Sequence, residues 1–310
     1  MTNSTGPRPR AAVIEETVGR GTANGTFGEL LQGRLQAGNR DFLVTLPITR
    51  WSTAHFRWRP DQPLTVEPAG KLKSRQLAER ILRRHGIPGG GLLTVHGDLP
   101  EGKGLASSSA DLVATARAIG HAFGISMPAA AIESLIRPIE PTDGVMYDGA
   151  TAFYHREVRL CARLGHLPPL TVVGVDEGGV TDTIRFNQRP KPFGREDMRE
   201  YGRLLTALSE AVRAGDAATI GRVATRSSLM NQRLHEKRLL PGLLEICATH
   251  GGLGVVVAHS GTTLGILLHT QDPQHTERLD KVAAACLDLA GNVHLDHALG
   301  LAPTAASIHL

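Results

Sequence analysis

The sequence predicts an α+β protein built from two domains. Three observations predict it. Apolar alternation over 41–58 gives way to a helical period over 74–85. A polar stretch with two prolines spans 187–193. Beyond that stretch, a run of helices ends in two adjacent apolar strands and a last helix. Residues 1–18 read as a tail, 19–190 as the first domain and 191–310 as the second.

In chain order, Phe42, Val44 and Leu46, then Trp51, Thr53 and His55, alternate as in two half-buried strands over Asp41–Trp58. Leu77, Ile81 and Leu82 fall on one face of a helix over Ser74–His85. Glycines over 86–91 break it, and Leu92–His96 reads as a buried strand. An Ala-rich helix is predicted over Ser108–Phe123, and a second over Met127–Ile139 with Pro128 at its start. Strands follow at Val158–Leu164 and Leu170–Val175, with a third, short one at Thr181–Phe186. The second domain reads as helices over Arg195–Ala214, Ala217–Leu234 and Leu239–His250. Strands Gly254–Ala258 and Thr263–Leu268 come next, then a helix over Thr276–Leu289.

Composition narrows the function classes. Hydrophobic residues make up 41% and charged residues 21% of 310, the balance of a soluble globular chain. Aromatics are only 4%, and the net charge is +4, which argues against a nucleic-acid surface of stacked aromatics and clustered bases. Modest positive charge suits anionic small molecules as well. Cys161, Cys247 and Cys286 lie far apart, with no metal-ligand or disulfide spacing, so a reducing, cytoplasmic setting is expected. No apolar run suggests a membrane helix, and Met1–Arg10 lacks the apolar centre of a secretion signal.

The most informative segment is Pro100-Glu101-Gly102-Lys103-Gly104-Leu105-Ala106-Ser107-Ser108-Ser109-Ala110, between a strand and a helix. Glycines admit an anion close to backbone amides, and a helix start adds unpaired donors and the positive end of a dipole. Serines there can cap those donors or ligate Mg2+. Two familiar phosphate motifs nearly match. The Gly-x4-Gly-Lys spacing from Gly97 to Lys103 is followed by Gly104, where a Walker loop needs a hydroxyl. Gly102-Lys103-Gly104-Leu105-Ala106-Ser107 lacks the third glycine of a dinucleotide fingerprint.

What fits is a Pro-x3-Gly-Leu-x-Ser-Ser pattern at Pro100, Gly104, Leu105, Ser107 and Ser108, which resembles the second motif of the GHMP kinases. Two flanking segments resemble that family's other signatures in the right order: Gly21–Glu29, ending in Gly-Glu, and Ala258-His259-Ser260-Gly261-Thr262-Thr263. Within the superfamily, Gly28–Gly33, Ile139–Asp143 and Val257–Gly261 look most like the threonine kinases of cobalamin side-chain synthesis. The resemblance runs from about residue 20 to about 270. It implies the two-domain GHMP fold, with an N-terminal domain of the ribosomal-protein type and a ferredoxin-like C-terminal domain. It also implies ATP and Mg2+ as cofactors, and a small hydroxylated acceptor, threonine first.

On that resemblance Ser108 carries the hydroxyl on Mg2+. Pro100, Gly102, Lys103, Gly104, Leu105, Ala106, Ser107 and Ser109 surround the phosphates, and Ser260 and Gly261 close over them. Lys103 either adds charge at the β/γ-phosphates or is a solvated lysine. Glu140 and Asp143 hold two carboxylates beside a proline-stiffened turn, a pattern that can hold Mg2+ and orient a hydroxyl. Glu140 is the expected metal ligand, with Glu133 competing. Asp143 is either the base at the acceptor or the cap of a turn. Glu29, Gln32 and His259 are placed at the substrate, Glu29 facing the ammonium of an amino acid. Kinases of homoserine or an isoprenoid precursor, and an ATP-binding sensor without turnover, remain the alternatives.

Overall fold

The computed structural model describes residues 17–179 and 190–300. The first layer is a long antiparallel pair, β1 (Val18–Leu35) and β2 (Arg40–Arg59), in register from Val18 opposite Arg57 to Leu35 opposite Arg40. β2 is one strand where the sequence predicts two. Pro47 interrupts the alternation, yet it lies opposite Thr26, between register shifts on either side, where a residue without an amide proton is tolerated. β1 carries no period-two signal because almost every residue from Ala23 to Gly33 is buried.

β3 (Leu64–Glu67) runs parallel to β4 (Gly90–Gly97), with α1 (Leu72–Arg84) as the crossover between them. α2 (Ser107–Phe123) lies across β1 and β2. The contact is close because strand glycines meet helix alanines: a Cβ on Gly21 would stand 2.2 Å from the Ala114 carbonyl oxygen. α3 (Ala129–Ile136) and the hairpin β5 (Ala150–Tyr154)–β6 (Arg159–Gly165) complete this side.

β7 (Leu170–Asp176) leaves that layer. It pairs with β9 (Thr263–His269) on one side and with β10 (His294–His297) on the other, although the linker expected at 187–193 follows it in the chain. β8 (Gly254–Val257), α4 (Arg195–Ala214), α5 (Ala217–Asn231), α6 (Leu240–Thr249) and α7 (His275–Ala290) build the rest. Among the described residues the strands form one ten-stranded sheet, with a main path β10-β7-β9-β8-β1-β2-β4-β3 and β5 branching from β2. Its two parts meet at β1, where Glu29 lies opposite Val257 of β8. The larger core fills the β1–β2–α2 side; a smaller one, with Val173, Leu243, Val255, Ile266 and Val282, fills the other.

The strand expected at Thr181–Phe186, and residues 187–189 of the expected linker, lie outside the described residues. Among the described residues no helix is long and apolar enough to cross a membrane.

Candidate active site

The glycine- and serine-rich loop connects β4 to α2. Gly102, Gly104 and Ala106 take left-handed conformations, with φ of 73°, 89° and 58°. Such residues at every second position are the backbone form that gathers amides into an anion-binding concavity. The loop is stitched to both sides of the molecule. Gly28 N donates to the Gly104 carbonyl (3.1 Å) and Thr26 N to that of Leu105 (3.3 Å). The Lys103 carbonyl accepts from Thr262 N, Thr263 N and Thr263 Oγ1. Gly261 permits this approach, since a Cβ there would sit 2.1 Å from the Lys103 oxygen.

The serines do not cap α2 as the sequence suggested. Its N-cap is Ala106, with no side-chain cap, and Ser107 to Ser109 already lie in the first turn, from which a hydroxyl does not reach its own helix's free amides. The hydroxyls are used elsewhere. Ser108 Oγ donates to Glu140 Oε1. Ser109 Oγ accepts from Asp143 N (3.1 Å) and Thr142 Oγ1 (2.7 Å), and contacts Asp143 Oδ2 at 3.4 Å. The uncapped helix start therefore opens into a cleft of roughly 460 Å³ lined by Ser107, Ser108, Ser109, Glu140, Asp143, Glu29, His259 and Ser260, among others. A larger, more open groove of roughly 1100 Å³ runs between Leu35–Ala37 and α4. It holds none of the motif residues, so the chemistry points to the smaller cleft.

Glu140 is buried beside Ser108, and its other oxygen, Oε2, takes the Lys73 ammonium. Glu133 faces away: its Oε1 accepts from Tyr147 Oη (2.7 Å) and Leu160 N (2.8 Å), and it is absent from the cleft wall. Ser108 Oγ and Glu140 Oε1 thus form a pair of hard oxygen donors beside unpaired helix amides. That donor set fits Mg2+ carried by a polyphosphate. No group of three or more His, Cys, Asp or Glu suited to a metal occurs among the described residues.

The other end of the cleft is drier. Burial, and the nearby Asp143 charge, push the Glu29 carboxyl well above its ordinary value; its Oε2 has no hydrogen-bond partner. Asp143 is pushed up to about 6 by burial and then by Glu140, against the stabilising Ser109 hydroxyl. His259 donates from Nδ1 to Gln32 Oε1 (2.7 Å), and its Nε2 faces the Lys191 ammonium at 3.3 Å. Burial first, then Lys191, drives its pKa far below the usual range, so the ring is neutral and acts as a fixed strut.

Two expected contacts lie elsewhere. Gln32 is one layer behind the cleft, with Nε2 on the Val257 carbonyl (3.2 Å) and Oε1 on His259. Lys103 points away from the cleft wall, with Nζ on Asp176 Oδ2 (2.6 Å) and on the Gly179 carbonyl (2.9 Å). Asp176 in turn accepts from Thr262 Oγ1, so Lys103 fastens the loop to the end of β7.

Four charged groups escaped the sequence reading. Lys71 and Lys73 reach the cleft from the start of α1, and Lys71 bridges Asp111 and Glu101. Asp111 also accepts from Ser52 Oγ. Lys237 is buried and donates to the Gly261 carbonyl, with its pKa pushed down to about 8 by burial. Only Lys71 and Lys73 carried a signal, as a Lys-x-Lys pair just after Gly70 and before a helix.

Residues 73–156, which include the loop and both cleft carboxylates of the Glu140–Asp143 turn, match the family model of the GHMP kinases N terminal domain. An L-threonine kinase of Citrobacter freundii is 28% identical over 246 residues, covering 78% of this chain and 83% of that one. The chain is thus similar to GHMP kinases in this segment and to an L-threonine kinase over most of its length. Solved GHMP structures share its fold. A homoserine kinase from Cytophaga hutchinsonii superposes with a TM-score of 0.67 at 16% identity, over 94% of this chain and 98% of that one. An L. major mevalonate kinase in complex with R-mevalonate gives 0.64 at 16% identity, over 94% and 97%. These similarities support a small-molecule kinase.

Proposed function

We propose that the chain is an ATP- and Mg2+-dependent kinase that phosphorylates the side-chain hydroxyl of L-threonine or a close amino-alcohol analogue. The observation that carries this reading is the polarity of the cleft. One end is an uncapped helix start with the Ser108–Glu140 oxygen pair, suited to a polyphosphate and its cation. The other end holds the buried carboxyl of Glu29 and the half-buried one of Asp143, suited to a small acceptor with a positive charge and a hydroxyl. The similarity to an L-threonine kinase points to the same acceptor.

In this reading the α2 amides and the glycine loop hold the phosphates from Gly102 to Ser109. Ser108 and Glu140 would hold Mg2+, which when bound would supply neutralisation of the phosphate charge. Glu29 takes the acceptor ammonium, and Asp143 accepts the proton of the attacking hydroxyl. His259, kept neutral and aimed by Gln32, fixes the wall beside Glu29. Lys103 holds the loop in place from outside.

The test is an ADP-release assay with threonine, serine, homoserine and mevalonate as acceptors. Threonine should give the highest kcat/KM. Preference for mevalonate would overturn the ammonium role of Glu29, and no ADP with any of the four would favour a sensor without turnover.

A further inference from the structure

α1 begins at a place that suits anions, yet it carries cations there. Lys71 is its N-cap residue and Lys73 lies in its first turn, with no acidic residue in that turn. Positive charge at the positive end of a helix dipole is unfavourable, by about 0.3–1 kcal/mol per group. Neither lysine is compensated within its own helix. Lys71 Nζ is 2.7 Å from Asp111 Oδ2 and also meets Glu101, while Lys73 Nζ meets Glu140 Oε2. Asp111 lies one turn along α2 from the serines of the phosphate loop, and Glu140 is bonded to Ser108. Both lysines and all three of these carboxylates line the same cleft.

Glu140 is therefore claimed twice, by the Lys73 ammonium and, in the proposed function, by Mg2+. A carboxylate cannot serve two close cations at full strength, because they repel each other. A lysine stem is long and flexible, and Lys73 is 44% exposed, so its ammonium is free to turn. The nearest new anion would be a phosphate at the α2 start.

We propose that Lys71 and Lys73 are phosphate ligands of the nucleotide, parked on Asp111 and Glu140 until it arrives, and that Lys73 and Mg2+ exchange places on Glu140. This rests on the nucleotide reading of the cleft given above. It assigns the lysines a role beyond neutralising their own carboxylates, and it makes nucleotide and divalent cation bind cooperatively. Mg2+ frees the ammonium that the phosphates need, and the phosphates stabilise the ammonium that Mg2+ displaces.

The experiment is a fluorescence titration of the full chain with a non-transferable fluorescent ATP analogue across a series of Mg2+ concentrations, for wild type, Lys73→Met, Lys73→Arg and Lys71→Met. At saturating Mg2+, Lys73→Met should bind about tenfold more weakly, the effect of losing one charge-assisted hydrogen bond, and Lys73→Arg should recover most of the loss. Lys73→Met should also need less Mg2+ for half of its own maximal tightening, because Glu140 no longer has a competing cation. Lys71→Met should weaken binding without moving that midpoint. Equal affinities and equal midpoints in wild type and both methionine variants would overturn the proposal while leaving the nucleotide site standing. Failure of the wild type to bind the analogue at any Mg2+ concentration would overturn the nucleotide reading itself.

Discussion

The two ends of the cleft are made from different parts of the chain. At the end proposed for the phosphates, most of the groups come from one stretch, Pro100 to Ser109, and many are backbone amides positioned by Gly102, Gly104 and Ala106. At the acceptor end, the groups are side chains from β1, the Glu140–Asp143 turn and the segment after β8: Glu29, Asp143 and His259. A backbone site tolerates change in neighbouring side chains as long as the glycines and the helix start remain. A side-chain site depends on each group and on the partners that aim it. Single substitutions should therefore act sharply and selectively at the acceptor end, and through the cation pair at the phosphate end.

The largest effect is expected for Asp143→Asn. Turnover should fall on the order of 10²- to 10⁴-fold, the range for losing a positioned base, with the nucleotide Kd unchanged. The melting temperature should stay level or rise, because the fold no longer holds a carboxyl whose ionisation burial opposes. The pH profile checks the same group. Asp143 must be ionised to accept a proton, so kcat should decline as pH falls towards and through about 6. The decline should start lower when Mg2+ offsets the Glu140 charge that helps raise it. A profile flat down to pH 5, together with a full rate in Asp143→Asn, would make Asp143 a turn residue only.

Next is Ser108→Ala, where turnover should drop on the order of 10²-fold through a weakened cation site, with little change in melting temperature. If acceptor KM moves more than kcat, the division of the cleft into two ends is wrong. Glu29→Gln should act in the opposite sense, raising the KM for threonine about tenfold and leaving nucleotide binding alone. Burial holds the Glu29 carboxyl well above its ordinary value, so an arriving ammonium should favour loss of its proton. Calorimetry in buffers of different ionisation enthalpy should record that release, and Glu29→Gln should abolish it. The smallest effect is expected for Lys103→Met: a melting temperature lowered by a few degrees, consistent with loss of about 1 kcal/mol from a partly exposed pair, and kcat within about twofold of wild type. A large loss of kcat would return Lys103 to the phosphates.

The same contrast explains what could be read in advance. Most of the long helices and the apolar strands β4, β8 and β9 were legible, because each shows its period within a short window. β1 was not, since burial on both faces removes alternation and its Gly, Thr and Asn residues imitate a turn. The turn from β4 into α2 was legible because closely spaced glycines, serines and a helix start are a local pattern. Glu29 and His259 were singled out only through family-like motifs, and Glu140 and Asp143 also through their spacing beside a proline-stiffened turn. Asp111, Lys71, Lys73 and Lys237 were missed, because their importance arises from contacts across the fold. The contact of Lys103 with Asp176 was out of reach for the same reason, since Asp176 lies at the end of a strand far along the chain.

β1 has one further consequence. It pairs with β2 along its whole length and with β8 at Glu29 alone, while β7, which precedes the expected linker, sits between β9 and β10. Each half of the molecule is thus completed by a strand encoded in, or bonded to, the other. A gene cut near residue 190 would yield a C-terminal fragment whose β9 and β10 have lost the strand that joins them, and whose β8 has an exposed edge. Such fragments should be recovered by co-expression rather than one at a time. The residue that marks the join, Glu29, also lines the cleft, so a change there reaches the continuity of the sheet and the cleft wall together.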